Sequence, residues 1–133
     1  MYGNEEQIFE YFAGTEPRIT ARAAVAIVGR RFVKFAPGGA DQAPVITTCD
    51  ADDPNAIGVA AWSVGAGEDV VVTKLNNVPG VITGAAITAP SLVKIGAGGT
   101  VVPLGASDRD LAVGWVYVDK ASGVEAPVYP VGL

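Results

Sequence analysis

The residues with chemical potential are few, and some of them repeat. Two lysines stand in matching settings, Val33-Lys34-Phe35 and Val93-Lys94-Ile95, each followed by a glycine pair. Three aspartates crowd the run Asp50-Ala51-Asp52-Asp53-Pro54-Asn55, and further carboxylate pairs stand at Glu68/Asp69 and Asp108/Asp110. Ser63, Ser91, Ser107, Ser122 and a single cysteine, Cys49, complete the set, and there is no histidine. That absence removes the commonest general base and the commonest metal ligand. No Ser–His or Cys–His pair can form, so Cys49 reads as a small core residue rather than a nucleophile. Ser–Lys chemistry would need the fold to unite the two, and nothing local does so. The aspartate run reads as a solvated acidic turn, because Asp and Asn side chains bond their own backbone there. Its alternative is a calcium loop, although the glycine and distal glutamate of an EF-hand are missing. The glycines at 65 and 67 are followed by two carboxylates and not by Gly-Lys-Ser/Thr, so they make no phosphate cradle. The expectation is a protein that is not an enzyme and holds no cofactor and no metal.

The lysines belong to a longer stretch that is written twice. Residues 19–39 read ITARAAVAIVGRRFVKFAPGG, and residues 81–99 read VITGAAITAPSLVKIGAGG. Each copy runs Ile-Thr, an Ala-rich apolar segment, a short strand with the lysine, then a glycine turn. Internal similarity of this kind marks a duplicated structural unit. The lysines also resemble, superficially, the modified lysine of biotinyl and lipoyl carrier domains. Those place it at a hairpin tip within Met-Lys-Met, whereas here the glycine turn follows later. Lys34 and Lys94 are therefore expected to point outward from alternating strands.

The remaining pattern is β. Short runs rich in β-branched residues stand at 45–48, 57–62, 70–75, 100–104, 111–118 and 125–129. Gly and Pro clusters punctuate them. Residues 92–95 and 100–104 should form a hairpin across Gly98-Gly99. The predicted fold is all-β: a small barrel or sandwich over 19–133 built from two similar units, 19–80 and 81–133. The Ala-rich stretches argue the other way, since Ala favours helix, but Gly29, Gly84 and Pro90 interrupt them.

A chain of 133 residues suffices for one domain with a core. The net charge of −5 speaks against a nucleic-acid partner. No apolar run approaches a membrane span. The N-terminus has neither a basic nor an apolar signal region, so synthesis and folding in a cytoplasm are expected. Residues 1–18 differ in style from the rest. They hold four of the ten aromatics and four glutamates against Arg18. They are expected to form an extended or short-helical arm that either folds back on the domain or docks on a partner.

Taken in order, these segments resemble the phage head decoration, or capsid cement, proteins. The resemblance rests on Ile-Thr…Ala-Ala-Val…Gly…Phe-Val-Lys at 19–34, Ile-Gly-Val-Ala at 57–60, and Ala-Gly-Glu-x-Val-x-Val at 66–72. A second Ile-Thr…Ala-Ala-Ile…Leu-Val-Lys follows at 82–94, and Val-Gly-Trp at 113–115. It implies a structural virion protein, a homotrimer on the outer surface of an expanded capsid, with the major capsid protein as partner. The candidate capsid contacts are Tyr2, Ile8, Phe9, Tyr11, Phe12, Arg18, Arg30 and Arg31, together with the 50–55 loop. The alternatives are a β-barrel carrier or ligand-binding module, and a tail or baseplate β domain.

Overall fold

The computed structural model describes residues 18–40 and 43–131. The expected arm, 1–18, lies outside the described residues except for Arg18.

The chain is all-β, with eleven short strands among the described residues. The first five are β1 (Arg18–Ala23), β2 (Phe32–Phe35), β3 (Val45–Thr48), β4 (Ala56–Ala60) and β5 (Asp69–Lys74), and they close a barrel in the order β1-β3-β2-β4-β5. The β1–β3 contact is parallel and the others are antiparallel. Alternation decides which side chains face inward. On β5, Val70 and Val72 are buried while Val71 and Thr73 are partly exposed. The interior is filled by Ala21, Ala23, Ile27, Val33, Ile46, Ala60, Val70 and Val72. A five-stranded barrel is narrow, which is why alanines serve here as interior residues rather than as helix formers.

The remaining strands are β6 (Gly80–Ile82), β7 (Ser91–Ile95), β8 (Val101–Pro103), β9 (Gly114–Val116), β10 (Glu125–Pro127) and β11 (Tyr129–Pro130). Their pairings follow the same plan. β7 lies antiparallel between β8 and β9, as β2 lies between β3 and β4. β6 pairs with β10 as β1 pairs with β5, and a parallel bridge joins Thr83 to Val101 where Ala23 meets Ile46. Ile27 bridges to Val64, and Ile87 to Lys120. Ala23 and Thr83, Ile27 and Ile87, Val33 and Val93 thus hold equivalent places at constant spacing. This corrects the match suggested by sequence: pairing Ile19-Thr20 with Ile82-Thr83 is three residues out of register. Sheet register answers to which residues face inward, and Ala23, not Thr20, is the buried counterpart of Thr83.

Two other expectations change. Residues 111–118 do not form one long strand: Arg109–Leu111 is a 3-10 turn and only Gly114–Val116 is paired. Residues 125–129 do not close the sheet as one strand either. β10 and β11 are separate, and Pro127 and Pro130, which lack an N–H, stand where ladder donors would be. The 92–95/100–104 hairpin is present as β7–β8.

Besides the barrel interior there is a second core, which the two halves share. Phe32, Cys49 and Val59, from the first half, join Val81, Ile87, Val93, Val101, Val116 and Val128 of the second. The Ile82 N–H donates to the Arg30 carbonyl at 2.9 Å and the Asp52 N–H to the Ile95 carbonyl at 3.0 Å. Gly99, at φ +75°, presses against the Phe32 backbone, where a Cβ would come within 2.6 Å of the Phe32 carbonyl oxygen.

Where the first half places Ala23, the second buries a hydroxyl. Thr83 Oγ1 donates to the Ala121 carbonyl at 2.6 Å and accepts from the Val124 N–H at 3.1 Å. Thr83→Val keeps the shape but orphans both backbone groups. A loss of about 1–3 kcal/mol is expected in denaturant titration, with Thr83→Ser retaining most of the stability. An unchanged midpoint for Thr83→Val would mean that the hydroxyl contributes nothing net.

Candidate interaction surfaces

The two repeated lysines do not stand free in solvent. Lys34 Nζ donates to Asp53 Oδ2 at 2.6 Å and lies 3.5 Å from Asp50 Oδ2. Lys94 Nζ donates to Asp108 Oδ2 at 2.8 Å and lies 3.0 Å from Asp52 Oδ1. The 50–53 loop therefore reaches both lysines and ties the halves together. Asp53 also accepts from the backbone N–H groups of Asp50 and Asn55, the turn bonding expected of this run. Its side chain is only 4% exposed, so the run is not fully solvated as the sequence implied. Among the described residues no three metal-ligating groups converge.

The electrostatics follow from this geometry. The hydrogen bond from Lys34 holds the Asp53 carboxyl below the usual aspartate range, and that from Lys94 does the same for Asp108. Reciprocally, the bonds to Asp53 and to Asp108 hold the two ammonium groups above the usual lysine range. A depressed carboxyl stabilises the fold above its unfolded pKa and loses that contribution as pH falls through the depressed value. A raised ammonium stabilises below its unfolded pKa and loses it as pH rises through the raised value. The melting temperature should therefore be level near neutrality and fall in acid below the ordinary aspartate pKa, and again in alkali above the ordinary lysine pKa. Asp53→Asn should flatten part of the acid limb, and an identical limb in both proteins would refute this assignment. Cys49, 1% exposed, has its thiol pushed up to about 12, first by burial and then by Asp53, and is no nucleophile.

The predicted contact residues fall in different places. Tyr2, Ile8, Phe9, Tyr11 and Phe12 lie outside the described residues. Arg18 opens β1 and is exposed. Arg30 and Arg31 sit at the seam between the halves. Arg30 takes left-handed backbone, φ +63°, and its Nε is 4.0 Å from Glu125 Oε2. Arg31 is more occupied: Nη1 donates to the Gly98 carbonyl at 3.2 Å, and Nε is buried with no hydrogen-bond partner among the described residues. Arg18 and Arg30 share a cleft of about 550 Å³ with Trp62.

One surface went unread in the sequence. Trp115 and Tyr117 are two residues apart on one face, their ring centroids 6.1 Å apart and their planes within 10°. Tyr129, paired with Trp115 across β11, meets Tyr117 edge-on at 5.2 Å. Tyr117 is 54% exposed and Tyr129 44%. The Trp-x-Tyr spacing was a readable signal for one face, but only the β9–β11 pairing brings Tyr129 to it.

No family profile matches the sequence, and no curated protein matches it. Among solved structures the chain is similar to the head fiber gp8.5 N base of bacteriophage phi29. The two folds agree. The TM-score is 0.66, with 84% of this chain and 92% of that chain covered at 22% identity. At that identity the likeness speaks for the fold.

Proposed function

We propose that this chain is a non-enzymatic virion protein that binds the outer surface of an expanded phage capsid and stabilises it. The observation that carries the reading is the fold shared with a phage head-fiber base over most of both chains. The order of segments resembling head decoration proteins supports it independently. So does the chemistry: the lysines and most of the acidic loop are used up in ion pairs, and the lone thiol is buried. The outside also carries exposed aromatic and cationic side chains, Trp62, Tyr117 and Tyr129 with Arg18 and Arg30, the material of protein contacts. In this reading the partner is the major capsid protein, and a homotrimer would let modest contacts sum into tight binding. Residues 1–17, Arg18 and Arg30 would contribute to the contact, as would the Trp115/Tyr117/Tyr129 patch.

The test is co-sedimentation of the purified protein with expanded empty heads of the phage that encodes it. Saturable binding, and a higher temperature for head disruption, are expected. Replacing Phe9, Tyr11 and Phe12 together by alanine should weaken binding. Binding unchanged by that variant would remove the arm from the contact, and no binding to expanded heads would overturn the reading. Intact mass checks the carrier alternative, which requires an added group on Lys34 or Lys94.

A further inference from the structure

The outer face of the β1–β5 pair carries the cleft noted above, and its lining is specific. Arg18 stands opposite Thr73 and Thr20 opposite Val71, so these four side chains leave the barrel on one face. Trp62 and Arg30, with Ile19 and Ala61, complete the lining. The Trp62 side chain is 51% exposed although it is a large indole. Gly29 packs directly against the Trp62 backbone, and the Gly29 N–H donates to Oγ of the next residue, Ser63, at 2.9 Å. Arg30 is held in a left-handed conformation that a non-glycine residue adopts only at a cost. Its N–H donates to the Ala60 carbonyl at 2.8 Å, and this fixes the base of the side chain at the rim. Among the described residues the one carboxylate within ion-pair reach of Arg30 is that of Glu125, at 4.0 Å with both groups half exposed, a pair worth little. Among the described residues none that lines the cleft is acidic. The site thus offers two guanidinium groups and an indole to a ligand that is anionic and aromatic.

The chain carries such a sequence beside it. Residues 1–17 contain Glu5, Glu6, Glu10 and Glu16 together with Tyr2, Phe9, Tyr11 and Phe12, and they join the barrel at Arg18, itself part of the cleft. Their charge is opposite to that of the cleft. Fully extended they span at most roughly 60 Å, so the tether keeps residues 5–12 near the cleft at high effective concentration. Carboxylates on guanidinium groups form charge-assisted hydrogen bonds, and aromatic rings pack favourably on an indole or a guanidinium plane.

We propose that in the free protein the Arg18/Arg30/Trp62 cleft seats the acidic aromatic sequence 5–12 of the same chain. The proposal does not rest on the capsid reading, since it concerns the protein without heads. The experiment is acrylamide quenching of Trp62 fluorescence in the full chain carrying Trp115→Phe. Should that variant fail to fold, the difference between the native protein and Trp62→Phe reports the same residue. Weak quenching is expected, rising severalfold in Phe9→Ala/Phe12→Ala and in Glu5→Gln/Glu6→Gln/Glu10→Gln. About 1 M salt, where the screening length falls to roughly 3 Å, should release part of the protection. Strong quenching in the unaltered arm, unmoved by either set of substitutions, overturns the proposal. Protection lost on dilution also overturns it, because a second copy's segment would then be the occupant.

Discussion

Replacing Phe32 with alanine will destabilise the protein by about 3–5 kcal/mol, the range for truncating a buried phenylalanine. Phe32 is fully buried, and its ring is not in the barrel's own interior. It packs into the core of the second half with Cys49 and Val59. The backbone around it is clamped as well, since the Cys49 N–H donates to the Phe32 carbonyl at 3.0 Å and Gly99 lies against the same residue. That leaves little room for the cavity to collapse, so the cost should lie toward the top of the range. The control is Leu92→Ala at the equivalent place in β7, where the side chain is only partly buried. Chemical denaturation should give a clearly larger loss for Phe32→Ala. Equal losses would mean that the seam between the halves contributes nothing special.

The second large effect is expected at two glycines that the repeat places in register. A Cβ on Gly58 would collide with the Thr73 carbonyl oxygen and come within 2.7 Å of Val72 Cγ1. A Cβ on Gly114 would meet the Tyr129 carbonyl oxygen at 2.5 Å and Val128 Cγ1 at 2.6 Å. The obstacles are the same atoms at equivalent positions, because β4 crosses β5 as β9 crosses β11. The neighbour in each case is backbone, which cannot swing aside. Gly58→Ala and Gly114→Ala should each cost about 1–3 kcal/mol or more by overpacking. Gly65→Ala, where the nearest atom is a Glu68 side-chain carbon at 3.6 Å, should change the melting temperature little. A similar small shift in all three variants would contradict the close approach.

These two sites also divide what was legible in the sequence from what was not. The strands were legible because each is a short run of β-branched residues between turn formers, and both signals are local. Gly58 and Gly114 were visible as the shared Ile-Gly and Val-Gly of two strands, but their reason was not. It lies in carbonyls many residues away. The equivalence of Lys34 and Lys94 was legible too, while their partners were not. Asp53 and Asp108 arrive from loops whose reach depends on strand register, and register is set by which side chains the barrel must bury. Hence the Ile-Thr match is three residues out of register, and hence Phe32 and Leu92, alike in sequence, differ in place: one lies inside a second core and the other is only partly buried. By itself the sequence determined an all-β chain with a doubled motif and no histidine chemistry, because composition and nearest-neighbour pattern carry that information. Only the tertiary structure decided the barrel closure, the shared core, the paired lysines and the Arg18/Arg30/Trp62 cleft, because each depends on contacts between residues far apart in the chain.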